Sequence, residues 1–80
     1  MYLKTQKEYF EAVESGKKTF ELRKNDRDFQ VEDICILEKY EGEECLDEQI
    51  AIEISYIFHG GKYGLDKDYC ILGFIKKQVL

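Results

Sequence analysis

The amino-acid sequence predicts a mixed α/β, mainly β fold: a small β-barrel of about five strands with one N-terminal amphipathic helix. Three observations lead there. Apolar residues recur at helical spacing only once, from Tyr9 to Val13. After Gly16 the apolar period drops to two, in segments separated by polar or glycine-bearing stretches. The connections are mostly short enough for antiparallel neighbours, and a sheet of short strands tends to curl and close, which removes its edges.

The elements follow in chain order. "YLKT" reads as an opening strand. "TQKE", Thr5 to Glu8, fits a capping box in which Thr5 and Glu8 each bond the other's amide. Tyr9, Phe10 and Val13 then share one helical face, with Glu8, Glu11 and Glu14 off it, over about Gln6 to Ser15. Gly16 supplies the left-handed residue that ends such a helix. "KTFELRK" alternates Phe20 and Leu22 with Thr19, Glu21 and Arg23. Asp33 to Tyr40 is the next strand, and "EGEECLDE" a polar hairpin loop. Gln49 to His59 is a long strand with Ile50, Ile52, Ile54, Tyr56 and Phe58 on one side. "GGKYGLDKD" is a loop, and "YCILGFIKK" closes the sheet.

Length and composition bound the rest. Eighty residues make one domain, 1–80, with a thin core. A chain 44% apolar and 36% charged is an ordinary globule, neither disordered nor membrane-bound. The uncharged run between Glu53 and Lys62 is too short to span a bilayer, and "MYLKTQKEYF" lacks a signal peptide's apolar core. A cytoplasmic location is expected. Cys35, Cys45 and Cys70 are odd in number and widely spaced, so neither a disulfide framework nor a zinc site is indicated. Cys35 and Cys70 lie in apolar runs and read as buried; Cys45 reads as exposed. No metal and no cofactor are expected.

The net charge of −5 argues against gripping a nucleic-acid backbone indiscriminately. It conceals a segregation, with balances of +2 over residues 1–27, −9 over 28–53 and +2 over 54–80. A positive face built from the two ends is compatible with that total.

The dense charge of "SGKKTFELRKNDRDF" is the most informative stretch. On a strand, Phe20 and Leu22 are expected to face the core, and Thr19, Glu21 and Arg23 the opposite side. Lys18, at the start of the strand, can join Glu21 and Arg23 there. Arginine offers a planar fork for oxygens, lysine a compact cation, and glutamate an acceptor for an amino or hydroxyl group. The same alternation also describes an exposed strand with a surface ion pair. Lys24 and Arg27 extend the basic cluster, although Asn25 and Asp26 between them are ordinary turn formers. "HGGKYG" is either a plain connection or a rim in which Lys62 meets phosphate and Tyr63 stacks on a base. Tyr40, Tyr56 and Phe58 read as core or barrel-end packing.

Gly16, Lys18, Glu21 and Arg23 form G-x-K-x-x-E-x-R, which resembles the signature of the activating-signal-cointegrator homology (ASCH) domain, a branch of the PUA-like superfamily. With "YLKT", "RKNDRDFQV" and "GGKYGL…YCILGF", nearly the whole chain resembles a small, mostly bacterial and phage, ASCH-like family of unknown function. The resemblance implies a PUA-like barrel whose cleft, bordered by the motif, binds RNA or a modified nucleoside. That family usually has a glycine where this chain has Glu32, so a turn needing positive φ is rebuilt or strained there. Some relatives remove the acetyl group of N4-acetylcytidine with a lysine matching Lys18, a threonine matching Glu21 and a later glutamate; only Lys18 carries over.

The leading expectation is therefore an RNA- or nucleotide-binding module, with Lys18, Glu21, Arg23, Lys24, Arg27, Lys62 and Tyr63 at the ligand. The first alternative is a small amidohydrolase acting on an N4-acylated cytidine-like nucleoside, with Lys18 and Glu21 catalytic. The second is a docking module whose acidic middle third meets a basic protein.

Overall fold

The computed structural model describes residues 1–80. The elements are β1 (Tyr2–Gln6), α1 (Lys7–Glu14), β2 (Phe20–Lys24), β3 (Ile34–Glu41), β4 (Glu44–His59) and β5 (Tyr69–Val79). The fold is thus mainly β with one short helix. All five strands join one sheet in the order β1-β3-β4-β5-β2. β1 runs parallel to β3, and every other pair is antiparallel. The sheet curls so far that Arg23 of β2, one edge, hydrogen-bonds the main chain of β1, the other edge. It is a half-barrel with an open seam between β1 and β2.

The core fills the concave side. Leu3, Cys35, Leu37, Ile50, Ile52, Ile54, Cys70, Leu72 and Phe74 point inward from the strands, with Phe10 and Val13 of α1 and Phe29 of a loop packed on them. Cys35 and Cys70 are buried and Cys45 exposed, as their settings in the sequence predict. Burial pushes both buried thiols above the ordinary cysteine value of 9.0. Lys39 is also buried, and its bonds to Glu11 and then Glu48, each at 3.1 Å, hold it above the ordinary 10.5. No helix is long and apolar enough to cross a membrane.

Five local expectations need correction. Thr5 does not cap the helix: β1 runs directly into α1 with Gln6 at the N-cap and no side-chain cap, while Thr5 is buried in β1 and donates to Leu3 O. The eight-residue hairpin loop shrinks to a two-residue turn at Gly42 and Glu43, with Gly42 at φ 60°. A glycine with positive φ at that first turn position lets a two-residue loop follow the strands' twist. A bulge between Ile54 and Tyr56 turns Tyr56 out to solvent and Ile57 toward the core, so the simple alternation fails there. Only two of the four strand-to-strand connections, β3–β4 and β4–β5, join neighbours, because β2 pairs only with β5 and lies four positions from β1 in the sheet.

The fifth correction reverses β2. Phe20 and Leu22 are 48% and 55% exposed, whereas Glu21 is only 5% exposed. The polar side chains face the concave side because β2 is an edge strand at an open seam. Inward charges there satisfy β1 across the gap, and they also deter pairing with another chain. Glu32, in place of the expected glycine, sits at φ 79° and is the strained alternative rather than a rebuilt turn.

Candidate functional site

Lys18, Glu21 and Arg23 converge at the seam. Lys18 Nζ donates to Glu21 Oε1 and to Phe20 O, the latter at 2.6 Å. Arg23 Nε donates to Glu21 Oε2 at 3.2 Å. Arg23 Nη2 donates to Lys4 O at 2.7 Å and to Thr5 Oγ1 at 3.2 Å. Arg27 Nη1 donates to Tyr2 O at 3.3 Å. Carbonyls of alternate residues point the same way along a strand. Arg23 and Arg27 therefore stand in for a missing sixth strand, bonding successive outward carbonyls of β1.

The open edge of β2 has its own chemistry. Phe74 N bonds Thr19 O, and Asn25 N bonds Asp68 O. Those two residue pairs mark the hydrogen-bonded positions of the β2–β5 ladder, so Phe20, Leu22 and Lys24 aim their backbone groups at the seam. Phe20 O is taken by Lys18 and Lys24 O by Asp26 N. Beside this edge lies a cleft of about 360 Å³, lined by Tyr9, Lys18, Phe20, Glu21 and Leu22. The Lys18 ammonium sits 5.1 Å from the Phe20 ring centre and 5.6 Å from that of Tyr9. The cleft thus joins a cation, a carboxylate, a backbone edge and two aromatic rings.

Over residues 2–74 the sequence matches a domain of unknown function, DUF3850. The chain belongs to the DUF3850 family. No curated protein matches it.

The site residues expected from the sequence divide in this DUF3850 domain. Lys18, Glu21 and Arg23 come together, but Arg23 does not line the cleft; it braces Glu21 and β1. Lys24 is exposed at the far end of β2, roughly 13 Å from Phe20 at about 3.3 Å per residue. Lys62 and Tyr63 belong to the loop that leads to Tyr69, the partner of Lys24, so they do not complete the rim beside Lys18. Tyr63 is 90% exposed, with its ring centre 6.1 Å from that of Phe58.

Tyr9 is a cleft residue that the sequence reading assigned to the apolar helix face. Its helical spacing carries no sign that the seam stands open beside it. A second cleft, also about 360 Å³, lies at the opposite end of the half-barrel, where Asn25, Asp28, Gln30 and His59 meet Val31, Tyr56 and Ile57. The bulge that turns Tyr56 outward forms part of its wall, and period-two reading passes over such a bulge.

Proposed function

We propose that this DUF3850 chain is a binding module for RNA or a nucleotide-like ligand, of ASCH type within the PUA-like superfamily, with its ligand in the seam cleft. The observation that carries this reading is the Lys18–Glu21 pair held between the Tyr9 and Phe20 rings beside an unpaired strand edge. A nucleobase suits that combination. Its faces stack on aromatic rings, and its donor and acceptor edges meet the Glu21 carboxylate and the Leu22 backbone. Lys18 has three donors, of which Glu21 and Phe20 O take two, leaving one for a phosphate or carbonyl oxygen. Arg23 acts through Glu21, fixing the carboxylate so that it does not swing into solvent. Titration with RNA hairpins, single strands and mononucleotides at low salt tests the reading. Binding that Lys18→Ala abolishes is the expected result; no binding by any probe, or binding indifferent to Lys18, rejects it.

A second reading draws on the same contact. An amine against a carboxylate in a cleft also suits hydrolysis of an N4-acylated cytidine, with Lys18 attacking or activating and Glu21 handling the proton. Incubation with N4-acetylcytidine distinguishes the two: turnover above the Lys18→Ala background makes the chain an enzyme, and its absence removes this substrate.

A further inference from the structure

We propose that the convex face of β4, β5 and β2 is a stacking platform for single-stranded nucleic acid, continuous with the seam cleft. It extends the reading of the cleft as a nucleic-acid site, shares Phe20 and Leu22 with it, and adds Tyr56, Phe58, Tyr69 and Gly73. Glu21, Cys70, Leu72 and Ile54 point into the concave side, so their neighbours in sequence form the outer face. The register places Phe20, Gly73 and Tyr56 in one row across the three strands, and Leu22, Ile71 and Phe58 in the next. Lys24 stands opposite Tyr69 in the third. Phe20 is 48% exposed, Tyr56 67% and Tyr69 40%.

Gly73 is the informative position. Its φ is not in the left-handed region, and a methyl group there would meet Tyr56 Cβ at an ordinary 3.6 Å. Neither the backbone nor close packing requires a glycine. What its missing side chain does is leave a gap between Phe20 and Tyr56, two strand spacings or about 9.6 Å apart at their backbones. A flat ring entering that gap has Phe20 and Tyr56 on its flanks, and backbone with the Ser55 hydroxyl, 3.8 Å from where a Gly73 methyl would sit, beneath it.

Charge selects what the ring belongs to. Residues 15–27 and 59–80, which contain β2, β5 and their flanking loops, hold nine Lys/Arg against four Asp/Glu; the remaining residues hold three against thirteen. Lys17, Lys24, Lys62 and Lys67 make no ion pair, and all four lie in the first set, whereas Lys76 donates to Glu14 O at 2.6 Å. Among the four acids, Glu21 is committed to Lys18 and Arg23, Asp26 to Arg27 at 3.9 Å, and Asp66 to the Asp68 amide at 2.8 Å. An apolar, aromatic face framed by free cations, on a chain whose acid lies elsewhere, fits a polyanion with exposed flat rings. Single-stranded RNA or DNA has both features, whereas a duplex hides its rings.

The test is fluorescence anisotropy with labelled oligouridylate and oligothymidylate of about eight nucleotides at low salt. Wild type is compared with Tyr56→Ala, Gly73→Val and Lys18→Ala, each checked for an unchanged urea midpoint. Tyr56 is solvent-exposed, so its truncation keeps the fold if the crowded valine does not. The platform predicts about 5- to 100-fold weaker binding for Tyr56→Ala, and a comparable loss when Gly73→Val fills the gap. If both bind as wild type while Lys18→Ala fails, the platform is wrong and the cleft stands. If both weaken while Lys18→Ala binds normally, the platform stands and the cleft reading falls. Failure of wild type to bind either oligomer overturns the platform, whatever hairpins or mononucleotides do. So does a dimer in sedimentation that Tyr56→Ala dissociates without any oligomer binding, since the face then belongs to a second copy.

Discussion

Replacing Glu21 by glutamine keeps the side chain's shape and removes the charge that Lys18 and Arg23 surround. Glu21 accepts from Lys18 Nζ and Arg23 Nε, has Arg23 Nη2 3.2 Å from Oε2 as an ion-pair contact, and its side chain is 7% exposed. Breaking a fully buried ion pair from one side costs about 3–5 kcal/mol. Lys18 and Arg23 are 17% and 22% exposed, so water relieves part of the loss. Arg23 also keeps Lys4 O and Thr5 Oγ1. We therefore expect Glu21→Gln to cost about 3 kcal/mol, the low end of that range. For a domain of this size that is a fall in Tm of about 12–24 °C, read by circular dichroism alongside urea unfolding. The companion variant replaces the whole cluster, Lys18→Met with Glu21→Leu and Arg23→Met. It is expected within about 2 kcal/mol of wild type, because no charge is left unpaired. A Tm change below about 3 °C for Glu21→Gln, or a companion no better than the single variant, would refute the account of the seam as a mutually satisfied ionic cluster.

Four further outcomes follow from local geometry. Glu32→Gly relieves the positive φ at that turn and should stabilise by about 0.5–1 kcal/mol after the glycine's extra freedom in the unfolded chain is deducted; calorimetry decides it. Gly60→Ala places a methyl 1.9 Å from Asp66 O and 2.5 Å from Tyr69 O, so the β4–β5 connection must rearrange, at a loss of about 3 kcal/mol or more by urea unfolding. Burial raises the thiols of Cys35 and Cys70, so they ionise in the unfolded chain before the folded one. Stability is therefore lost as pH rises above 9.0, and iodoacetamide should label Cys45 alone until denaturant is added. Lys39, held above 10.5 by Glu11 and Glu48, contributes stability below that value and loses it only at still higher pH.

The existence and type of every element were legible in the sequence, because apolar spacing reports directly on local period. What the period does not report is which face turns inward. Phe20 and Leu22 suggest one answer for β2, but the decisive fact is that β2 lies at the seam, with the outward carbonyls of β1 opposite it. That depends on a pairing with β5 nearly fifty residues away. The same non-local cause explains the split of the site: Lys18 and Lys62 both border β2, at opposite ends, and linear order says nothing of that. Thr5 failed as a cap because the preceding strand claimed it, and Tyr56 turned outward at a bulge with no sequence mark. The acidic hairpin extends further than expected because β1 braces its backbone ladder: Gln6 bonds both Gly42 N and Gly42 O, and Lys4 pairs with Glu43 at 2.7 Å.

The strand order carries a consequence for synthesis. β2 is translated before β3 and β4, yet its only ladder partner, β5, is made after both. During elongation the Phe20–Lys24 ribbon has nothing to lie against, while β1, β3 and β4 can already assemble. A nascent chain not yet extended past Cys70 would hold Lys18 and Glu21 tethered but unplaced, so the seam would take shape only once β5 has been made.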